Sequence, residues 1–577
     1  MPLHRKKPFS AKQKKAQILA KRATKREQAA YDDPEWDFRH RPAAEPSAEP
    51  SPKPALLPRS DKPWRPAAQP SADGRDKLIS QFDKLTRAEI EANKERSMRP
   101  LERLSPEAGL TMSFDDAYSA DVDIPVRPSW EYGESKEALE ARESAYFDAW
   151  LAQLRERDPD SVSLYEKNLE VWRQLWRVVE ISDILLLIVD IRHPVLHFPP
   201  SLYRYVTETT GKPLVVVLNK TDLVAENTVR AWTHCFKSRF PEVVLTRFCC
   251  YRDPQRLVND TNVADMKMRR QRPRRRIHDS RLVGDLFAAC RSVCTPDKLG
   301  LVSWDELIAR YTGADDASDD DNDGSDAEAE NDEASDVGSD EDATDEHAHD
   351  AARSQHGERV SSKYVTLGFI GHPNVGKSTI INSIVKRTVV STSRTPGHTK
   401  HFQTIHVTPT LRLCDCPGLV FPCVVSRPLQ VLAGLYNTAQ VQEPYTAVQF
   451  LAERVPVERV LNLRPPDSED VLEDVHYKWS AWAICEAFAI DRGFYTSRGA
   501  RPDVYRAALY ILRWVLDGRI LLSFKPPGFF HDFAYLKEPE QPQVSTQSTD
   551  SESEASDNSS RPIAQQSAFA LLSEENC

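Results

Sequence analysis

No stretch of this 577-residue chain reaches the roughly 18 uninterrupted apolar residues that a bilayer-crossing helix needs, so no membrane partner is expected. The basic N-terminus has no apolar segment behind it, so a secretory signal is not expected there. Cysteine is thin, at ten residues, and the pairs Cys249/Cys250 and Cys414/Cys416 lack zinc-ligand spacing, so they read as buried core residues. Scattered thiols of this kind fit a reduced cytosolic or nuclear protein rather than a disulfide scaffold. No internal repeat is visible. Apolar residues make up 40%, and 41 prolines imply much chain that cannot bury a core. The length still exceeds a single core, so two or more domains with tails are expected.

Charge is abundant and segregated. Residues 1–26 hold ten Lys/Arg and no acid, and 267–276 hold seven Lys/Arg. Residues 315–346 hold seventeen Asp/Glu and no base, and the tail 541–577 is net −5. The overall charge of −11 therefore conceals a remainder of +11, which suits an anionic partner such as RNA. The run 267–276 has two readings, RNA contact or an intramolecular pairing with the acidic block. Ser318, Ser325, Ser335 and Ser339 lie among the acids and read as acidophilic phosphorylation sites.

Along the chain, residues 1–75 have the composition of a disordered basic tail, and 76–163 form a charged helical lead-in. Leu169, Trp172, Leu175, Trp176 and Val179 recur at helical spacing and predict a helix packed on a core. Three continuous apolar runs follow, Ile184–Val189, Pro213–Leu218 and Val243–Phe248, as strands buried on both faces require. After helices near 281–294 and 303–311 and the acidic block, strands resume at Val365–Ile370, Phe402–Val407 and Leu411–Cys414. Residues 428–530 read as a helical domain, with apolar positions such as Leu429, Leu432, Leu435, Leu509, Leu512, Trp514 and Leu516. Residues 531–577 read as a disordered acidic tail.

The segment Gly371-His372-Pro373-Asn374-Val375-Gly376-Lys377-Ser378 lies between a strand and a helix, the setting of a phosphate loop. Glycines let backbone N–H groups curl around a phosphate, and the helix N-terminus adds its positive dipole end. Gly371, Asn374, Val375, Gly376, Lys377, Ser378 and Thr379 are the expected phosphate-binding residues. Lys377 would reach the β- and γ-phosphates, and the Ser378 hydroxyl would bind Mg²⁺. Asn219-Lys220-Thr221-Asp222 follows the second strand. The Asp222 carboxylate can accept from guanine N1–H and the exocyclic amine, a pair adenine cannot donate, so the motif selects GTP over ATP. Asn219 would brace the loop, and the Lys220 stem would lie along the purine. Taken alone, the tetrapeptide also suits a polar strand-to-helix turn.

Asp415-Cys416-Pro417-Gly418 ends the last strand; Asp415 can hold Mg²⁺ through water and the Gly418 N–H can reach a γ-phosphate. Between lies Ser393–Lys400, where a switch threonine is expected. Thr399 is the first choice as a Mg²⁺ ligand and Thr395 the alternative. A fifth, base-contacting loop would follow the third strand at Phe248, Cys249 and Cys250, which depart from the usual Ser-Ala-Lys.

The guanine motif at 219 precedes the phosphate loop at 371, the reverse of Ras-like order. The sequence thus predicts an α/β fold. It is a circularly permuted P-loop G domain over 164–422, with a six-stranded, mostly parallel sheet. The small helical domain follows, and the ends are disordered tails. The stretch 295–362 would join the old termini. The chain leaving Asp415–Gly418 runs straight into the helical domain, so nucleotide state can act on it directly.

This order resembles the circularly permuted GTPases of the YlqF/YawG family. The resemblance rests on the motifs above and on Lys6–Ser10, Asn168–Arg177, Asp190-Ile191-Arg192-His193-Pro194 and Gln442–Val448. It covers about 130–530 and the first dozen residues. It implies GTP hydrolysis coupled to binding or release of pre-ribosomal particles or rRNA, with shuttling between nucleus, nucleolus and cytoplasm. Leu419 stands where Ras-like enzymes place a water-orienting glutamine, so slow, partner-stimulated turnover is expected. Asn374 matches an asparagine that in related GTPases helps bind a monovalent cation, which implies K⁺ stimulation; a loop-bracing role is the other reading. Two other functions remain compatible with these residues: a signalling GTPase with a protein effector, and a scaffold that holds GTP with little hydrolysis.

Overall fold

The six strand candidates form one sheet, in the order β3-β2-β1-β4-β6-β5. The strands are β1 Ile184–Asp190, β2 Leu214–Asn219, β3 Val244–Arg247, β4 Val365–Ile370, β5 Gln403–Thr408 and β6 Leu411–Asp415. All neighbours pair in parallel except β5, which runs antiparallel to β6 along the edge. Relabelled by motif, this is the sheet of an ordinary G domain, with its first three strands supplied by the later half of the chain. The computed structural model describes residues 80–531 except 81, 83, 119–121, 132, 158–162, 251–267, 269–279, 313–362, 392–400, 467–476 and 497–500. The basic run 1–26, the acidic block, all of 267–276 but Met268, and the end of the chain from 532 lie outside the described residues. Those described all fall within one contact unit, Ser71–Cys577.

The strand sequences explain their places. β1, β2 and β4 are buried along their whole length because helices cover both faces. Alternation divides each between two cores: Leu185, Leu187 and Val189 face one, Ile184, Leu186 and Ile188 the other. β3 and β5 are edges and are partly exposed; β3 is also shorter than the apolar run from 243 to 248.

The predicted helix spans Leu169–Ile181, capped where the Asn168 side chain accepts from the Glu170 N–H. It buries Trp172, Leu175, Trp176 and Val179. Both indoles also find acceptors, the carbonyls of Glu166 and Pro125, each at 3.0 Å. Burial of each apolar side chain here contributes about 1.5–3 kcal/mol. Behind the other face lie helices Ser280–Val293, Trp304–Thr312 and Lys377–Val385. The helices Arg427–Leu432, Tyr445–Arg454, Ala481–Asp491 and Val504–Leu516 bury their apolar residues in the same core as Trp172 and Leu187. They therefore pack beside the carboxyl ends of the strands rather than apart from them.

Candidate nucleotide site

Register brings the carboxyl ends of four strands together. Asp190 pairs with Asn219, and Phe369 with Asp415. Crevices at such ends are where open α/β sheets bind ligands. β4 feeds directly into Gly371, and the turn ends where the helix starts at Lys377. Asn374 at φ 57° and Gly376 at φ 105° are in left-handed conformations. Gly376 is required twice over, because a Cβ there would also lie 2.3 Å from Asn219 Nδ2.

The Lys377 ammonium is buried and donates to the carbonyls of Gly371 at 3.0 Å and His372 at 2.6 Å. Burial pulls its pKa down, while Asp415 and Cys416 pull it back. Ser378 Oγ donates to Asp415 Oδ2 at 2.7 Å. Asp415 Oδ1 is buried with no partner among the described residues. Burial pushes the Asp415 carboxyl up to about 6, against the pull of Lys377 and the Ser378 hydroxyl. Gly418 approaches the loop so closely that a Cβ would sit 2.6 Å from Pro373 Cα. The Leu419 N–H donates to Gly371 at 3.3 Å, and the Leu419 side chain is buried in the core.

The guanine motif closes onto this loop. Asn219 Nδ2 donates to the Val375 carbonyl at 2.7 Å. Lys220, at φ 63°, donates from Nζ to the Asn374 carbonyl at 2.6 Å and to Asp190 Oδ2 at 2.8 Å. Asp222 is half-buried in the short 3-10 turn Thr221–Leu223. The expected fifth loop lies beside it: the Phe248 carbonyl accepts from both Thr221 N, at 3.4 Å, and Thr221 Oγ1, at 3.3 Å. Cys250 is buried, with its Sγ 3.7 Å from Ser383 Oγ; Cys249 is half-buried. Thr379 is half-buried, and its carbonyl accepts from Ser383 Oγ at 2.8 Å. Thr395 and Thr399 lie outside the described residues.

Other neighbours were not apparent from the motifs. Asn374 Nδ2 donates to the Gly434 carbonyl at 2.9 Å, joining the loop to the C-terminal helices. Arg192 and Asp190 form a buried ion pair beside Lys220. His193, His197 and His372 cluster beneath the loop, fully buried. The one usable signal was Asp190, a charge that ends an otherwise apolar strand.

Residues 366–472 match the family model of the 50S ribosome-binding GTPases. The chain is 44% identical over 456 residues to guanine nucleotide-binding protein-like 1 of Homo sapiens, covering 78% of this chain and 72% of that one. It is 32% identical over 429 residues to large subunit GTPase 1 homolog of Drosophila melanogaster, covering 72% and 66% respectively. Among solved structures, GNP-bound YlqF from T. maritima aligns at 16% identity and a TM-score of 0.30, over 62% of this chain and 97% of that one.

Proposed function

This chain belongs to the circularly permuted GTPases that include guanine nucleotide-binding protein-like 1, and on that premise we propose that its GTP hydrolysis gates a step of ribosome assembly. The carrying observation is the closure of the guanine motif on the phosphate loop through Asn219 and Val375. That bond holds Asn219–Asp222 against Gly371–Ser378, which supports reading them as one nucleotide site. In this reading Asp222 selects guanine, Asn219 and Lys220 hold its loop, and the backbone from Gly371 to Thr379 cradles the phosphates. Lys377 exchanges its two carbonyl acceptors for phosphate oxygens, and the Gly418 N–H meets the γ-phosphate.

Magnesium suits the donors present, because the Asp415 Oδ1 is buried and, among the described residues, unpartnered beside the Ser378 hydroxyl. Ser378, Thr399 and, through water, Asp415 would hold the ion; Thr395 is the alternative to Thr399. Bound Mg²⁺ supplies charge neutralisation at the phosphates. Asn374 has its amide nitrogen committed to Gly434, so its amide oxygen is what it offers a K⁺ ion. Equal turnover in Na⁺ and K⁺ buffers removes the K⁺ assignment.

Leu419 is 1% exposed and cannot orient water, so intrinsic turnover is slow and a partner supplies the missing group. The same residue favours the second reading, a scaffold that holds GTP with little hydrolysis. The similarity to 50S ribosome-binding GTPases and to large subunit GTPase 1 homolog, together with the +11 outside the acidic segments, supports a pre-ribosomal partner contacted through 1–26 and 267–276. Shuttling between nucleus, nucleolus and cytoplasm follows from that role.

Sedimentation of the full chain with pre-ribosomal particles decides the matter. Co-sedimentation in non-hydrolysable GTP but not GDP, with hydrolysis stimulated by those particles, is the expected result. Absence of both leaves a signalling GTPase; co-sedimentation without stimulation leaves the scaffold.

A further inference from the structure

The apolar strand β1 ends in Asp190, and Arg192 stands two residues on; both side chains are 1% exposed. Burying a carboxylate is costly unless it is paired. Asp190 is paired on several sides. Its Oδ1 accepts from the Arg192 backbone N–H and from Nε, each at 3.1 Å. Its Oδ2 accepts from Arg192 Nη2 at 2.7 Å and from Lys220 Nζ at 2.8 Å. Burial pushes this carboxyl up, yet Arg192 and Lys220 outweigh it and hold it well below the usual range.

Each partner leads elsewhere. Lys220 sits in a left-handed conformation, and its ammonium is shared between Asp190 and the Asn374 carbonyl of the phosphate loop. The carboxylate therefore fixes where the lysine stem runs. Arg192 turns its remaining arm to the far side. Its Nη1 donates to the Val515 carbonyl at 2.8 Å, in the last turn of the helix Val504–Leu516, where a cation also meets the negative end of the helix dipole. The Arg192 carbonyl accepts from the Phe524 N–H at 2.9 Å. One carboxylate thus stands between the guanine motif and the C-terminal helix.

We propose that Asp190 is a positioning residue for guanine-nucleotide binding, acting through Lys220, and that Arg192 makes this geometry depend on the docking of the helix Val504–Leu516. The proposal rests on reading Asn219–Asp222 as the guanine motif.

The test uses the full chain and a fluorescent GTP analogue. Lys220→Ala and Asp190→Asn should each weaken GTP and GDP by about tenfold, the worth of one charge-assisted hydrogen bond. The double variant should be no weaker than either single one, because the two act as one unit. Multiplying losses in the double variant, or an Asp190→Asn protein that binds like the parent, overturns the proposal. Should Asp190→Asn not fold, Lys220→Ala alone tests the first half, and unchanged nucleotide binding there overturns it; Arg192→Gln, which keeps the Asp190–Lys220 bond, tests the second half. In the parent chain, GTP should slow amide exchange in 504–516; in Arg192→Gln that slowing should vanish. Its persistence overturns the dependence on helix docking. Asp222→Asn is the control: unchanged GTP binding there removes the guanine-motif reading itself, whereas a loss there with no effect at Asp190 removes only this inference.

Discussion

Asn219 donates its side-chain N–H to the carbonyl of Val375, 2.7 Å away, across 156 positions of the chain. The bond joins the loop proposed to read the base to the loop proposed to hold the phosphates, and it is blind to the order in which the chain supplies them. Asn219 Oδ1 is buried without a partner among the described residues, so the side chain is held by this one donation. Asn219→Ala should leave the Val375 carbonyl unpaired and free the guanine loop. A loss of about 1–3 kcal/mol, or 5- to 150-fold in GTP affinity, is expected by equilibrium titration.

Asp222→Asn should exchange the base preference. A carboxylate accepts two bonds from guanine; an amide presents a donor that suits the C2 carbonyl of xanthine instead. GTP should weaken by about 10²-fold or more while XTP binding appears. Competition of the two nucleotides against one fluorescent ligand measures both.

Leu419→Gln should not restore fast hydrolysis. The side chain at this position is 1% exposed and packed in the apolar core, not standing over the phosphate loop. A glutamine there brings an amide into an apolar setting, at a cost of about 1–3 kcal/mol. A lowered Tm with unchanged or reduced single-turnover hydrolysis is the expected outcome.

Gly418→Ala should weaken the γ-phosphate contact before it affects the fold at large. An added Cβ would stand 2.6 Å from Pro373 Cα, so either the Asp415–Gly418 turn or the phosphate loop must shift. GTP should lose more affinity than GDP, since only GTP carries the γ-phosphate. Parallel titrations with both nucleotides check this.

Acid should destabilise the chain through three histidines. His193, His197 and His372 are fully buried. Burial lowers all three pKa values, that of His197 to about 4. The unfolded chain takes up these protons near the ordinary value of 6.5, whereas the folded one stays neutral. Stability is therefore complete above that ordinary value and is lost as the pH falls toward 4. His197 alone accounts for about 3 kcal/mol across that window. His197→Phe should flatten the slope of stability against pH by about one proton, read from denaturant titrations at several pH values.

The GTPase motifs were legible because they are local. A phosphate loop needs glycines and a lysine within one turn, and a guanine reader needs a carboxylate a few residues past a strand. Those demands write Gly371–Ser378, Asn219–Asp222 and Asp415–Gly418 into short segments. Their reversed order, set against six strand candidates, was enough to predict the permuted sheet. The runs at Val365–Ile370 and Leu411–Cys414 matched β4 and the body of β6 because both strands are buried. β3 came out shorter than its run because an edge strand has a neighbour on one side only.

What the sequence could not express is which distant groups share a buried charge. Asp190 and Arg192 stood in a stretch that carries the family resemblance, but that they pair, that Arg192 spans to Val515, and Asn374 to Gly434, depended on how the chain packs. The same holds for Leu419: its identity excluded a water-orienting role, and only packing placed it in the core. By itself the sequence determined the nucleotide class and the sheet order, through short-range geometry and apolar patterning. The tertiary structure decided how the nucleotide loops are tied to the helices beyond them, because partners more than 300 residues away are brought together only by burial of a common core.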